Sequence, residues 1–401
     1  MAAVLTRILG FHDYETAEDI VQDTLMKALS TWKIQGIPQN PSAWLYTVAK
    51  NKAIDAVRKR NRVTVENHSV LLESEWTLTS TMNQFFLDQE IEDSQLRMIF
   101  ACCHPSIPVE SQIAFALKSL CGLSIHEISH AFLTSDETIA KRIYRAKEKI
   151  KEEKIELEVP VSNELKERLE TVLKSLYLLF NEGYTSPNPD SFIRQDLCEE
   201  AIRLCILLTK NPITNTPSAN ALLALMCFQA SRFDARLSDD GLIILLKDQD
   251  RSKWNQSLIK KGKHYLEVSG SGDDVTEYHI EAALAACHSL AKNFEETDWS
   301  KIVYLYDLLI EMKQSLVLKL NRAIAIGYAE SPERGIDELL RLTQLNKNHY
   351  YHTALGDFYT MLENRELAIS SYEHAIALTD STKEMQLLYR KLNEVTSLFP
   401  G

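Results

Sequence analysis

Apolar residues recur at helical spacing along almost the whole chain, and no segment alternates apolar and polar residues as a half-buried strand does. The clearest case follows Ser135, where four apolar side chains fall at i, i+4, i+7 and i+11: Ile139, Ile143, Ala146 and Ile150. This spacing places them on one face of a helix. The sequence therefore predicts an all-α protein.

The composition indicates a soluble globular protein of several domains. The chain has 401 residues, which exceeds the usual length of one domain. Of these residues 45% are apolar and 25% are charged, as in an ordinary globular protein. No run of about 18 apolar residues occurs, and the N-terminus becomes polar too early for a signal peptide. The seven cysteines are scattered, several within apolar helical segments. We therefore expect no membrane contact, buried reduced thiols and a cytoplasmic location.

The charge is distributed unevenly. The net charge is −12, yet residues 1–62 carry 9 basic and 6 acidic side chains, and residues 97–159 carry 9 of each. Residues 63–96 between them carry 7 acids and no Lys or Arg. The pattern predicts a helical unit over 1–62, an acidic linker over 63–95 and a second helical unit over 96–156. Basic stretches inside an acidic molecule indicate local contacts with DNA.

Two short helices near residue 130 have the pattern of a helix-turn-helix. Ser124 is a suitable N-cap for the first helix, and Ser135 or Asp136 for the second. Opposite the apolar stripe of the second helix lie residues that suit a major groove, Thr138, Lys141, Arg142 and Arg145. The plain alternative is a solvated amphipathic helix, so this pattern needs a second element.

A basic helix near residue 50 supplies that second element. Asn40 or Ser42 can cap it, and its polar face carries Lys50, Asn51, Asp55 and Arg58. The polar loop over 34–40 precedes it and could receive an unpaired base. The alternative is that these basic residues only offset the partial negative charge at the C-terminal end of the helix.

An acidic face precedes this loop. The helix over 17–29 is expected to pack five apolar residues inward, namely Ile20, Val21, Leu25, Ala28 and Leu29. Its outer face is suited to a basic protein partner and consists of Glu18, Asp19, Gln22 and Asp23. The simpler alternative is that these acidic residues only offset the partial positive charge at the N-terminal end of the helix.

These motifs together resemble region 2 and region 4 of extracytoplasmic-function (ECF) sigma factors. The region 2 likeness rests on residues 17–25, 41–45 and 49–55, and the region 4 likeness on residues 122–149, in the family's order and spacing. Residues 96–105, 176–184, 248–254 and 320–325 extend it to a long subgroup whose C-terminal extension is related to tetratricopeptide repeats. The chain departs from the family pattern in one respect. Only a short stretch precedes Gly10, whereas family members usually have a longer first helix.

The resemblance implies a role for each set of residues. Glu18, Asp19, Gln22 and Asp23 would bind the clamp helices of the RNA polymerase β′ subunit, as part of binding core polymerase. Lys50, Asn51, Asp55 and Arg58 would read and open the −10 element of promoter DNA. Thr138, Lys141, Arg142 and Arg145 would read the −35 element. No cofactor and no enzymatic chemistry are implied.

The remaining residues, 160–401, are expected to form helical hairpins with tetratricopeptide-like repeats near 316–380. Gly356 and Ala368 occupy small-residue positions of the clearest repeat. Stacked repeats form a concave surface that could receive a regulatory protein, or could simply support the DNA-binding half.

Two further segments carry residues that could form a site. The run Cys102-Cys103-His104 lacks zinc spacing, so no metal is expected. The segment 248–254 is either a charged contact between domains or a helix cap beside a core Trp254. The alternative function is a one-component helix-turn-helix regulator that senses a ligand or partner through its C-terminal helices.

Overall fold

A computed structural model describes most of the chain, and its helical content confirms the all-α prediction. The described residues are 1–64, 88–132, 134–160, 163–184, 193–272 and 274–398. Most of the predicted acidic linker lies outside them, whereas residues 88–95 begin a helix. The chain divides into two compact units, residues 1–179 and 180–401. The division falls inside a helix rather than at residue 160.

The first unit contains eight helices within its described residues. They are α1 (Ala2–Leu9), α2 (Tyr14–Gln35), α3 (Pro41–Thr64), α4 (Asp88–Cys102), α5 (Val109–Ala116), α6 (Ile125–Ala131), α7 (Asp136–Glu152) and α8 (Asn163–Tyr184), of which α8 continues into the second unit. A 3₁₀ turn over Phe11–Asp13 precedes α2, and a π turn over Leu117–Cys121 follows α5.

The first three helices share one core. Leu5 and Leu9 of α1 pack against Ala17 and Ile20 of α2 and against four residues of α3: Ala49, Ala53, Ile54 and Val57. The small residues of α3 fit this contact because alanine allows helices to approach closely. The core therefore fixes which face of α3 remains available to solvent.

The second unit consists of successive helical pairs. Its helices are α9 (Gln195–Lys210), α10 (Pro217–Ala230), α11 (Gln256–Ser269), α12 (Glu277–Leu290), α13 (Trp299–Met312), α14 (Leu316–Ala329), α15 (Pro332–Leu340), α16 (His349–Met361), α17 (Arg365–Leu378) and α18 (Thr382–Leu398). Asn and Ser side chains cap several of them; Asn348, for example, accepts hydrogen bonds from the amides of Tyr350 and Tyr351.

The segment 248–254 forms caps. The Asp250 carboxylate accepts hydrogen bonds from the amide and hydroxyl of Ser252, at 2.9 and 2.7 Å. Arg251 donates to the carbonyls of His288 and Ala291 at the end of α12, both at 2.7 Å. Trp254 is buried, with the Arg251 guanidinium 4.5 Å from its ring centroid. Of the two interpretations of this segment, the structure supports the one in which Asp250 caps a helix beside a buried Trp254.

Close helix packing in the second unit leads to a first prediction. A Cβ on Gly327 of α14 would overlap the ring of Phe358, and one on Gly335 of α15 would lie 2.7 Å from the Gly327 Cα. Gly327→Val should therefore lower the free energy of unfolding by about 2 kcal/mol, which urea denaturation would measure. Gly270→Val is the control, since a Cβ there meets only the Glu267 carbonyl oxygen at 3.4 Å. Equal destabilisation by the two variants would contradict the packing.

Candidate nucleic-acid interface

The helix-turn-helix has the caps that the sequence predicts. The Ser124 hydroxyl accepts a hydrogen bond from the Glu127 amide at 3.1 Å, and the Glu127 carboxylate accepts one from the Ser124 amide at 2.7 Å. The Ser135 hydroxyl accepts one from the Thr138 amide at 3.1 Å. These bonds satisfy amides that the first turn of a helix leaves unpaired. Leu133, which the sequence places in the turn, lies outside the described residues.

The predicted stripe of α7 is buried, with Ile139, Ile143, Ala146 and Ile150 each at most 6% exposed. This burial turns the opposite face of α7 toward solvent.

The exposed face of α7 presents Lys141, Tyr144 and Arg145. Lys141 forms an exposed ion pair with Glu137 of the same helix, with a nitrogen–oxygen distance of 2.7 Å. Thr138 is half-buried, and its hydroxyl lies 2.9 Å from that of Ser135. Tyr144, which is 62% exposed, was not predicted as part of this face. Its position three residues after Lys141 is the signal that could have identified it.

Arg142 differs from the expectation of a side chain presented to solvent. Its guanidinium lies 2.6 Å from the Glu110 carboxylate of α5, and its side chain is only 22% exposed. Glu110 itself is 72% exposed, so the pair lies at the surface. Any contact of Arg142 with DNA must compete with this ion pair.

The basic helix α3 begins at the predicted cap, because the Asn40 side chain accepts a hydrogen bond from the Ala43 amide at 3.0 Å. Asn51 and Asp55 are exposed, whereas Lys50 and Arg58 are half-buried. The Arg58 guanidinium lies 3.8 Å from the Asp55 carboxylate. All four predicted −10 residues thus lie on one helix.

The loop before α3 is open to solvent. Gly36 ends α2 with a φ of +80°, a conformation that glycine adopts readily. Ile34 and Ile37 on either side of it are 86% and 73% exposed. Ile34 lies in the last turn of α2 and Ile37 in the loop, so both expose apolar side chains before α3 begins.

The outer face of α2 is acidic and, unexpectedly, also apolar. Asp19, Gln22 and Asp23 are exposed as predicted. Leu25 and Leu29, predicted to pack inward, are 41% and 69% exposed. Met26 between them is 65% exposed. We call Asp19, Gln22, Asp23, Leu25, Met26 and Leu29 the α2 face.

Thr24 explains why the inward prediction was wrong for the two leucines. The buried line of α2 passes through Ala17, Ile20, Thr24 and Ala28. Thr24 is fully buried because its hydroxyl donates to the Ile20 carbonyl at 2.7 Å, which satisfies it without an outside partner. Leu25 and Leu29 each follow a buried residue and are rotated away by about 100°.

Among the predicted polymerase-binding residues, Glu18 is the one whose side chain is not exposed. Its two carboxylate oxygens lie 2.9 Å from Lys118 Nζ and 3.4 Å from Lys147 Nζ, and its side chain is 24% exposed. Burial disfavours the charged form, but hydrogen bonds and charges from the two lysines outweigh it and lower the pKa of Glu18. Glu18 therefore joins α2 to the helix-turn-helix half of the first unit.

This carboxylate leads to a second prediction. Because its pKa is lowered in the folded protein, Glu18 contributes stability above its ordinary pKa of 4.5, and this contribution is lost as the pH falls below that value. Glu18→Gln should cost about 1 kcal/mol of unfolding free energy at pH 7, and this cost should shrink as the pH is lowered toward 3. Parallel denaturation of both proteins between pH 3 and 7 measures the difference. A difference independent of pH would contradict the ion pairs.

Comparisons with known proteins agree with this geometry. Residues 1–63 match the family described as Sigma-70 region 2, and residues 97–150 match Sigma-70, region 4. An uncharacterized protein of Rhizobium meliloti is 34% identical to this chain over 388 residues. The aligned residues cover 96% of this chain and 92% of the Rhizobium protein. The two matched regions identify the chain as an RNA polymerase sigma factor.

Two further similarities concern parts of this sigma factor. A protein of Haemophilus influenzae named "Probable RNA polymerase sigma factor" is 26% identical over 159 residues, covering 35% of this chain and 77% of its own. Residues 168–270 match a family of unknown function, DUF6596. As a sigma factor the chain binds RNA polymerase core and promoter DNA and acts in transcription initiation.

The two cysteines of the cysteine-histidine run are part of the core, whereas His104 is half-buried. Cys102 and Cys103 are buried, and burial raises the pKa of Cys103 to about 12. His104 Nδ1 lies 2.7 Å from the Ser106 hydroxyl. Among the described residues, no group of three or more His, Cys, Asp or Glu side chains could hold a metal ion. Within the same ranges, no helix is long and apolar enough to cross a membrane.

Proposed function

We propose that this sigma factor is of the extracytoplasmic-function type and docks on the β′ clamp helices of RNA polymerase through the α2 face. The observation that carries the proposal is the exposed run of Leu25, Met26 and Leu29 beside Asp19 and Asp23. Three large apolar side chains on one solvent-facing helix are costly unless a partner covers them. An apolar centre with a charged edge is the usual composition of a protein interface.

The −10 element is read by α3 and the loop before it. Asn51 and Asp55 offer exposed hydrogen-bonding groups, and Lys50 and Arg58 offer positive charge on the same helix. The neighbouring Ile37 is exposed and apolar, which suits contact with an unstacked base. A base removed from the stack costs a few kcal/mol, which such contacts offset.

The −35 element is read by α7. Lys141 and Arg145 are exposed on its outer face, and Arg145 is suited to bidentate contact with a guanine edge. Thr138 lies at the N-terminal end of the same face. Arg142 joins them when it leaves Glu110, and Tyr144 adds an apolar ring of the kind that contacts thymine methyl groups.

The second unit modulates activity as a tetratricopeptide-like domain. Its α16–α17 pair packs Gly356 against the Tyr372 ring, and this close approach supports the repeat-like reading of these helices. A cavity of about 440 Å³ is lined by residues of α14 and α16, among them Asn321, Tyr350 and Phe358. Val317 and Tyr350 at this cavity are 54% and 52% exposed. A regulatory protein that inserts an apolar side chain would fit it.

Reconstitution with core polymerase tests the proposed function against the one-component alternative. The proposal predicts that this chain co-purifies with core polymerase and binds duplex promoter fragments tightly only in that complex. The alternative predicts tight duplex binding by the chain alone and no association with core polymerase. An isolated β′ clamp-helix fragment should bind the chain and compete with core polymerase. Absence of both associations would overturn the proposal.

A further inference from the structure

The connection between α10 and α11 in the second unit spans residues 231–255, and connections of this length are uncommon in compact domains. A bridge pairs Leu237 with Ile243, and Gly241 between them has a φ of +75°, so the chain turns back on itself there. This turn leads into five consecutive aliphatic residues: Leu242, Ile243, Ile244, Leu245 and Leu246. We call these five residues the strap.

The strap lies beside helices of the second unit that are distant in sequence. The Arg390 guanidinium of α18 donates a weak hydrogen bond to the Ile243 carbonyl oxygen, at 3.5 Å. Strap residues line a cavity of about 320 Å³ together with α14, α16 and α18, and a second cavity of about 290 Å³ together with α13 and α14. Tyr328 and Asp357 border both cavities. We call the face formed by Tyr328, Asp357, Met361 and Arg390 the groove.

The buried ion pair of the groove is satisfied within the helices. The Tyr372 hydroxyl donates to the Asp357 carboxylate at 2.7 Å, and Lys391 pairs with the same carboxylate. The Lys391 side chain is only 7% exposed. Because these groups satisfy one another, the groove requires no charged group of a ligand at this point. It offers apolar surface instead, to which the half-exposed Met361 contributes.

The strap fills the groove only loosely. All five of its side chains are half-buried, whereas Phe358 of α16 is 1% exposed. Tyr328 and Asp357 also border the cavity of about 440 Å³ between α14 and α16, which is not lined by the strap. A segment that filled this cavity and the two beside the strap would remove more apolar area from water than the strap does. The contacts of the strap are therefore open to replacement.

We propose that the groove binds an extended segment of a partner protein with adjacent aliphatic side chains, and that the strap is a resident occupant which this segment displaces. The inference rests on the proposed role of the second unit in binding a regulatory protein. The strap itself shows which chemistry the groove accepts, namely consecutive aliphatic side chains beside Tyr328 and a main-chain carbonyl within reach of Arg390. A partner held in the neighbouring cavity between α14 and α16 reaches the strap, because the same residues border both.

A fluorescently labelled peptide with the sequence of residues 238–250 tests the exchange on the full chain. The wild type should bind it weakly, because the attached strap competes at an effective concentration in the millimolar range. Ile244→Asp with Leu245→Asp should release the strap, since carboxylates are disfavoured against apolar surface. This variant should bind the peptide about tenfold more tightly or better, because apparent affinity scales with the fraction of open grooves. Fluorescence anisotropy measures the affinity.

Controls separate the groove from charge and from unspecific binding. Lys253→Asp changes the net charge by the same amount at an exposed position of the same connection, and it should leave the affinity at the wild-type value. A peptide that carries Asp in place of both Ile244 and Leu245 should bind none of the proteins. Met361→Asp, added to the double variant, should abolish its gain in affinity, because Met361 lines the larger of the two cavities beside the strap.

A second variant keeps the test decisive if the charged one does not fold. Replacement of residues 242–246 by glycine and serine keeps the length of the connection and adds no charge, and this variant should also bind the peptide more tightly. If folded variants bind the peptide no more tightly than the wild type, the proposal is wrong. If both variants lose their helical circular dichroism, the strap is a fixed part of the fold, and the proposal is equally wrong.

Binding of the same proteins to core polymerase separates this inference from the proposed function. If the wild type binds core and the folded strap variants show no gain for the peptide, only the exchange at the groove is wrong. If the wild type binds no core, the polymerase-docking proposal is wrong, whereas tighter peptide binding by the strap variants would still support the groove.

Discussion

Reversal of Asp19 and Asp23 to lysine should weaken binding to core polymerase by about a hundredfold or more, because like charges placed across an interface cost several kcal/mol. Both side chains are exposed on the α2 face, and among the described residues the change removes only the surface pair of Asp23 with Lys52. The folded structure should therefore tolerate the change. Binding of labelled chain to core polymerase measures the effect.

A matched variant controls for the gain in net charge. Glu167→Lys with Glu170→Lys changes the charge equally on exposed positions of α8 in the same unit. It should bind core polymerase as the wild type does. Equal weakening by both double variants would mean that net charge, and not the α2 face, sets the affinity.

Arg145→Ala should cost the complex with polymerase about 1–3 kcal/mol of promoter binding and relax its preference at one −35 base pair. Arg145 is exposed on α7 next to Tyr144, whereas Arg142 is held by Glu110. We therefore expect Arg145→Ala to have a larger effect than Arg142→Ala. Binding to promoter fragments with single substitutions in the −35 element measures both quantities.

The control for Arg145 is a cation at the far end of the same helix. Lys151→Ala removes the same charge from an exposed position that pairs with Glu148. It should lower affinity for all sequences alike, by far less, and reduce the salt dependence slightly. Unchanged base preference in Arg145→Ala would move the reading surface away from this residue.

Features that depend on neighbours within one or two turns could be predicted from the sequence. The caps at Ser124 and Ser135 and the buried stripe of α7 are of this kind, since caps and helical periodicity are local. The exposure of Asp19 and Asp23 follows from the same periodicity. Periodicity alone, however, placed Leu25 and Leu29 inside, because it does not anticipate that Thr24 satisfies its own hydroxyl in the core.

Features that depend on which element covers a face could not be predicted. Glu18 and Lys118 are a hundred residues apart in sequence, and nothing near either residue indicates that they meet. The same holds for Arg142 and Glu110, which lie on different helices. A helix pattern states which face is apolar, but the partner of each charged residue is set by the packing of whole helices.

Mapping of transcription starts on genomic DNA tests the central claim most directly. Core polymerase is supplied with this chain in one reaction and not in the other, and the 5′ ends of the transcripts are sequenced. The account predicts starts that require the chain and share two sequence elements upstream at a common spacing. Identical starts in the two reactions would contradict it.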